Sequence, residues 1–377
     1  MEKMMRKSWW KWLGVALVVY GIVAGLLVPL KPNAYGVMPG SATLGQTETF
    51  EMLGYNTSFL GADAGAVNAW VRAGEGLALR ADRIEIIDDR RAKLTFTFPE
   101  YLPENDVPAG QARALPIIMT TDNDGTFVVP DAVTLRQVTT PLSTEVAETG
   151  WTTGAIVKGD LFPSQGITFP YRNVLLETIR NTYFHVSLWF AMMFLFIAGV
   201  VYAIKYLRRS GETMLDGIHT VSRRDKADYW AVAFTSVGML FGILGLLTGA
   251  VWAKYTWGTY WSWDIKQFTT LIALLIYGGY FALRAALPDA EQRARLSAAY
   301  NIFAFACLIP LIYILPRLVG DSLHPGAAGN PAMGGEDLDS TMRMVFYPII
   351  IGWTLFGFWM ACITFRARVL LERTLRV

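Results

Sequence analysis

The chain has three histidines, His185, His219 and His324. Neutral imidazole is a common transition-metal ligand, and two imidazoles can hold one iron from opposite sides. A second concentration of chemistry lies between His219 and His324. Residues 251–264 read Val-Trp-Ala-Lys-Tyr-Thr-Trp-Gly-Thr-Tyr-Trp-Ser-Trp-Asp and hold four of the chain's 13 tryptophans, Trp252, Trp257, Trp261 and Trp263. An interfacial belt needs only one or two such rings per helix end. A cluster this dense, closed by Asp264, reads as a flat apolar platform for a planar ligand.

The elements that must position these residues follow from hydropathy. Of the 377 residues 53% are hydrophobic and 17% charged, the balance of a membrane protein. Apolar runs at 8–30 and near 185–206, 229–251, 267–287, 297–319 and 344–365 predict six transmembrane helices. A hydrocarbon core of about 30 Å takes roughly 20 helical residues, which each run supplies. The first run is read as a retained helix and not a signal peptide, because it is long and no Ala-x-Ala site follows it.

Basic residues fall in alternate connections. Lys3, Arg6 and Lys7 precede the first helix; Lys205, Arg208, Arg209, Arg223, Arg224 and Lys226 lie between the second and third. Arg293 and Arg295 separate the fourth and fifth, and Arg366, Arg368, Arg373 and Arg376 follow the sixth. The positive-inside rule places these in the cytoplasm and leaves 31–178, 252–264 and 320–342 outside. His185 then sits at the external end of the second helix and His324 just beyond the external end of the fifth, both level with the tryptophans. His219 falls on the cytoplasmic side and is read as solvated.

Residues 31–178 differ in character. Short alternating runs (Leu77–Ala81, Arg83–Ile87, Lys93–Phe98, Thr126–Pro130, Ala132–Val138) are separated by turn signals at Pro99, Pro103, Asp124-Gly125 and Pro130. Such spacing predicts seven or more short strands in an antiparallel β-sandwich. The segment has no histidine and no metal-ligand cluster. The expected organisation is a first transmembrane helix (1–30), an external β-rich domain (31–178) and a five-helix membrane domain (179–377). Cys307 and Cys362 lie in apolar runs without zinc or CxxC spacing and read as small buried hydrophobes. No basic block interleaved with aromatics points to nucleic acid.

A lone histidine at a helix end is usually an interfacial hydrogen-bonding residue. Two of them level with one indole cluster suit a haem, its iron held by imidazoles and its porphyrin covered by tryptophan. Lys266 and Arg317 are placed to meet propionates, although cations at helix ends also snorkel to the interface without a ligand. Asp264 also suits a helix start, where aspartate is favoured.

Residues 248–266, Thr-Gly-Ala-Val-Trp-Ala-Lys-Tyr-Thr-Trp-Gly-Thr-Tyr-Trp-Ser-Trp-Asp-Ile-Lys, resemble the tryptophan-rich WWD signature of the haem-handling proteins of cytochrome c biogenesis. Within that group the chain is most similar to the CcmC family. Tyr183-Phe-His-Val and Ser322-Leu-His-Pro are similar to the two histidine motifs that flank the signature. The likeness is loose over the first helix and good over 179–365. It implies haem b, with His185 and His324 as axial ligands and Trp252, Trp257, Trp261, Trp263 and Asp264 around it. It also implies an inner-membrane protein that passes haem on the periplasmic side to a CcmE-like chaperone, beside the ABC-type ATPase and permease subunits of a maturation complex. A haem-transfer subunit, and not an enzyme, is the expectation. The alternative is a CcsA-type synthase subunit that attaches haem to apocytochrome c. Two features depart from the CcmC pattern: the β-rich insertion after the first helix, and Lys266 where the maturation branch often has arginine.

Overall fold

The computed structural model describes residues 8–103, 110–137, 143, 148, 150–151, 166–173, 175–209, 222–319, 322–324 and 338–375. Lys3, Arg6, Lys7, His219, Arg376 and the connector residues Pro325, Gly326, Glu336 and Asp337 lie outside them. The chain divides into two compact units, one of residues 29–173 and one of residues 1–28 with 174–377.

The larger unit is helical. Among the described residues six stretches are long and apolar enough to cross a membrane: Trp9–Leu27, Leu176–Arg208, Arg223–Trp257, Ile265–Ala286, Ala290–Val319 and Ser340–Leu371. They contain helices α1 (Trp9–Leu27), α2 (Ser187–Arg208), α3 (Arg223–Trp257), α4 (Ile265–Ala286), α5 (Ala290–Ile309), a short α6 (Leu315–Val319) and α7 (Ser340–Leu375). This is a multi-pass helical membrane protein carrying a β-rich domain.

The helix starts are written in the sequence. Ser222 accepts from the Asp225 amide at 3.0 Å, Asp264 from the Lys266 amide at 2.9 Å and Asp289 from the Gln292 amide at 2.7 Å. Each such cap is worth about 1 kcal/mol. The end of α3 corrects the expected boundary. The helix does not stop at residue 251 but runs to Trp257, because nothing before Gly258 breaks it. Gly258 takes φ +84° and returns its amide to the Lys254 carbonyl at 3.1 Å, a left-handed stop that favours glycine. Trp252 and Trp257 therefore stand on a helix, and only 258–264 is loop. At the far end of α5 the chain widens into a π turn, Pro310–Ile314, where proline supplies no amide donor.

Two polar ties fix the bundle. Near the end that carries the basic loops, Arg284 on α4 grips Asp228 on α3 with two bonds of 2.8 and 2.9 Å, and both side chains are largely buried. Midway along α3, Thr235 accepts from Asn301 of α5 at 2.7 Å with both residues buried. Around them pack apolar side chains of α2, α3, α4 and α5, with Phe196 stacked on Tyr277 at 3.8 Å. Cys362 is buried, Cys307 is half-buried, and both are free thiols.

The β-rich unit has nine strands among the described residues, in two sheets ordered β1-β3-β7-β6 and β2-β9-β8-β4-β5. They run β1 Asn33–Met38, β2 Ser41–Thr43, β3 Thr47–Tyr55, β4 Asn68–Arg72, β5 Ala78–Arg80, β6 Arg83–Asp88, β7 Arg91–Thr97, β8 Ala112–Thr121 and β9 Gly125–Arg136. Inward residues of both sheets, among them Phe50, Leu94 and Phe96 of one and Val71, Ile117 and Phe127 of the other, form one core. The two runs expected on either side of Pro130 are a single strand, β9. The ladder to β8 shifts between the pairs Leu115–Val133 and Ile117–Val129, and Asp131 takes φ +49°. The bulge absorbs the missing proline donor, so the strand continues through it.

Candidate functional site

The seat of His185 is built by α3. The chain enters α2 through a 3-10 segment, Leu176–Asn181, and a π turn, Thr182–Val186, which holds His185. Its Nδ1 lies 2.9 Å from the Gly245 carbonyl and 3.3 Å from Thr248 Oγ1. Thr248 itself donates to the carbonyls of Leu244 and Gly245, which leaves the His185 Nδ1 as the donor toward Gly245. With the proton on Nδ1, the lone pair is on Nε2, the arrangement metal-ligating histidines adopt. The ring lies in a notch in α3. A Cβ on Gly249 would come within 2.6 Å of its Cε1. Trp252 and Trp189 meet the imidazole edge-on, at 5.7 and 6.0 Å. The Trp252 indole is held in turn by a 3.1 Å bond to Thr178 Oγ1, which lies 3.1 Å from Thr256 Oγ1.

The seat of His324 is built by a carboxylate. Asp264 is buried at the head of α4. Besides capping that helix, it accepts from the Leu323 amide at 2.8 Å and from Ser322 Oγ at 3.2 Å. His324 Nδ1 lies 2.8 Å from its Oδ1. This is ion-pair distance without alignment, and Nδ1 has no aligned hydrogen-bond partner among the described residues. The Ser322 hydroxyl also accepts from the His324 amide at 3.2 Å. Burial works to raise the Asp264 carboxyl, but the His324 ring and the Leu323 and Lys266 amides outweigh it and hold it below the usual carboxylate range. Trp257 stands edge-on to His324 at 5.0 Å.

The loop between α3 and α4 is fixed by Gln267, whose Oε1 accepts from the Ser262 amide and hydroxyl at 3.0 and 3.2 Å. Trp263 takes φ +58°, a conformation that costs a non-glycine residue roughly 1–2 kcal/mol. Its indole is 70% exposed and meets Trp261 at 89°. The pair presents a corner and not a flat sheet.

The expected site residues thus fall into three groups: His185 with Trp252, His324 with Trp257 and Asp264, and the exposed pair Trp261 and Trp263. Sequence reasoning missed Gly245, Gly249, Thr178, Ser322 and Gln267. The spacing of Gly245 and Gly249 is a small-xxx-small pattern, the sequence signal of close approach on a membrane helix. The residues present suit a haem iron. His185 donates from Nδ1 to a carbonyl and His324 has Nδ1 beside a carboxylate, so Nε2 is the atom each ring offers to a metal.

Comparison with known proteins bears on the same segment. Residues 172–324 match the model of the Cytochrome C assembly protein family. Heme exporter protein C of Bradyrhizobium diazoefficiens is 35% identical over 135 residues, 36% of this chain and 50% of that protein. Cytochrome c biogenesis protein CcsA of Prochlorococcus marinus strain MIT 9303 is 36% identical over 104 residues, 28% of this chain and 31% of its own length. The CcsA protein of Aethionema cordifolium is 42% identical over 100 residues, 26% and 29% of the two chains. The chain therefore spans half or less of the length of these curated relatives.

Proposed function

Taking residues 172–324 as a cytochrome c assembly domain of the CcmC/CcsA type, we propose that the protein binds haem b at the external face of a bacterial inner membrane and hands it on during cytochrome c maturation. The observation that carries this reading is the pair of imidazoles, His185 with Nδ1 bonded to the Gly245 carbonyl and His324 with Nδ1 2.8 Å from the Asp264 carboxylate. His185 and His324 are the axial ligands. Trp252 and Trp257 back the two rings, while Trp261 and Trp263 offer exposed apolar surface to the porphyrin. The recipient is a CcmE-like chaperone, and the neighbours are the ATPase and permease subunits of the maturation complex. The two sheets with their common core are read as a sandwich that docks the chaperone or the apocytochrome. The CcsA relatives favour a second reading, in which the same site serves attachment of haem to apocytochrome c.

A handing-on protein must let one ligand go. His185 is fixed by a helix and its neighbour's carbonyl, whereas the polar contacts described between residues 322–324 and the helices run to the single side chain of Asp264, so His324 is the ligand that exchanges. The test is the haem content and optical spectrum of the purified protein. His185→Ala should lose most haem. His324→Ala should keep a five-coordinate species that added imidazole returns to six-coordinate. Unchanged haem content and spectrum in both variants would rule the site out.

A further inference from the structure

Asp264 is expected on the haem platform by resemblance, and its side-chain contacts are with the start of α4 and the segment that carries His324. Oδ1 takes the Lys266 amide and the Ser322 hydroxyl and abuts His324 Nδ1, while Oδ2 takes the Leu323 amide. Apart from the Lys266 amide, which belongs to the α4 cap, these contacts join the head of α4 to residues 322–324. We propose that Asp264 is the positioning residue of His324. It holds residues 322–324 to α4 through Leu323 and Ser322, and its charge beside Nδ1 strengthens the imidazole as a donor at Nε2. The inference rests on the reading of His324 as an iron ligand.

The physical argument is one of asymmetry. His185 turns its Nδ1 to a neutral carbonyl on a helix that also packs its flanks. The Nδ1 of His324 lies 2.8 Å from an oxygen of a buried carboxylate. A carboxylate behind an imidazole fixes the ring and raises its basicity more than a carbonyl does. Removing such a partner typically costs 10–100-fold in metal affinity. Here the loss falls on one ligand alone, because the Asp264 contacts reach the His324 segment and none reaches His185 among the described residues.

The experiment compares Asp264→Asn, Ser322→Ala, His324→Ala and His185→Ala in the full-length protein loaded with haem. Asp264→Asn keeps a cap acceptor and the side-chain shape while removing the charge. Ser322→Ala leaves α4 and its cap intact and serves if the aspartate variant folds poorly. Three quantities are read: the rate at which added imidazole replaces the protein ligand, the reduction potential, and the electron paramagnetic resonance signature of the axial pair. Asp264→Asn should speed imidazole exchange about 10–100-fold, raise the reduction potential and shift the signature. Ser322→Ala should move the exchange rate the same way by less. Exchange, potential and signature equal to wild type in both Asp264→Asn and Ser322→Ala, with coordination lost in His324→Ala, would overturn the inference and leave the site standing. Wild-type spectra in both histidine variants would fell the site itself, and the inference with it.

Discussion

His185 and His324 carry the same chemistry on different foundations. The first sits in a wide turn leading into a helix of 22 residues, in a notch cut by a glycine, against a backbone carbonyl. The second sits in residues 322–324, where the described contacts to the helical body are made by the Asp264 carboxylate and the Trp257 indole. A seat made of helix backbone changes only when helices move. A seat made of one side chain can be released by that side chain alone. A protein that must first hold a ligand and later give it up needs one seat of each kind.

The comparison breaks most sharply at Gly249. A methyl group there would meet His185 Cε1 at 2.6 Å, and the imidazole is already flanked by Trp252 and Trp189. Overpacking of this sort costs about 1–3 kcal/mol. Gly249→Ala should therefore lose most bound haem, as His185→Ala does, and lower the melting temperature. Full six-coordinate haem in this variant would show that the notch is not what seats the ring.

Trp257 tests the other side with a smaller effect. It touches His324 edge-on at 5.0 Å, and such aromatic pairs contribute about 0.5–1.5 kcal/mol beyond burial. Trp257→Ala should leave haem bound through His185 and speed imidazole exchange by no more than about tenfold. Loss of haem as complete as in His185→Ala would erase the division between a fixed and an exchanging ligand.

The particular residues explain how far the sequence could be read. The six spans were legible because each is one continuous apolar run, and the strands β6 and β7 because their residues alternate. Candidate chemistry could be read where residue type alone is informative: three histidines and a dense run of indoles. The contacts were not. Asp264 and Leu323 lie 59 positions apart, and no local spacing announces that one carboxylate bonds both a helix start and a distant segment. The helical standing of Trp252 and Trp257 was hidden for a different reason. Tryptophan and tyrosine lower the hydropathy of the last turns of α3 without breaking the helix, and the true stop is the glycine at 258. Strand β9 shows the reverse: Pro130 is a strong break signal, and a bulge carries the strand past it.

The smallest expected effect is also the most selective. Thr178 lies outside both imidazole shells, yet its hydroxyl accepts from the Trp252 indole at 3.1 Å and lies 3.1 Å from the Thr256 hydroxyl. Its own proton goes to the Leu175 carbonyl, so the Thr256 hydroxyl is the donor in that pair. Thr178→Val keeps the shape of the side chain and removes the acceptor, leaving the half-buried indole N–H without its partner. A lost hydrogen bond of this kind costs about 1 kcal/mol. That cost falls on the indole that flanks His185, and the Asp264 contacts that seat His324 are untouched. The expected result is a haem affinity reduced about fivefold, with the rate of imidazole exchange at His324 unchanged. Measuring both quantities on the same preparation separates the seats. A change in exchange rate as large as the change in affinity would mean that the two histidines respond as one unit, and the contrast between helix-built and carboxylate-built seats would fail.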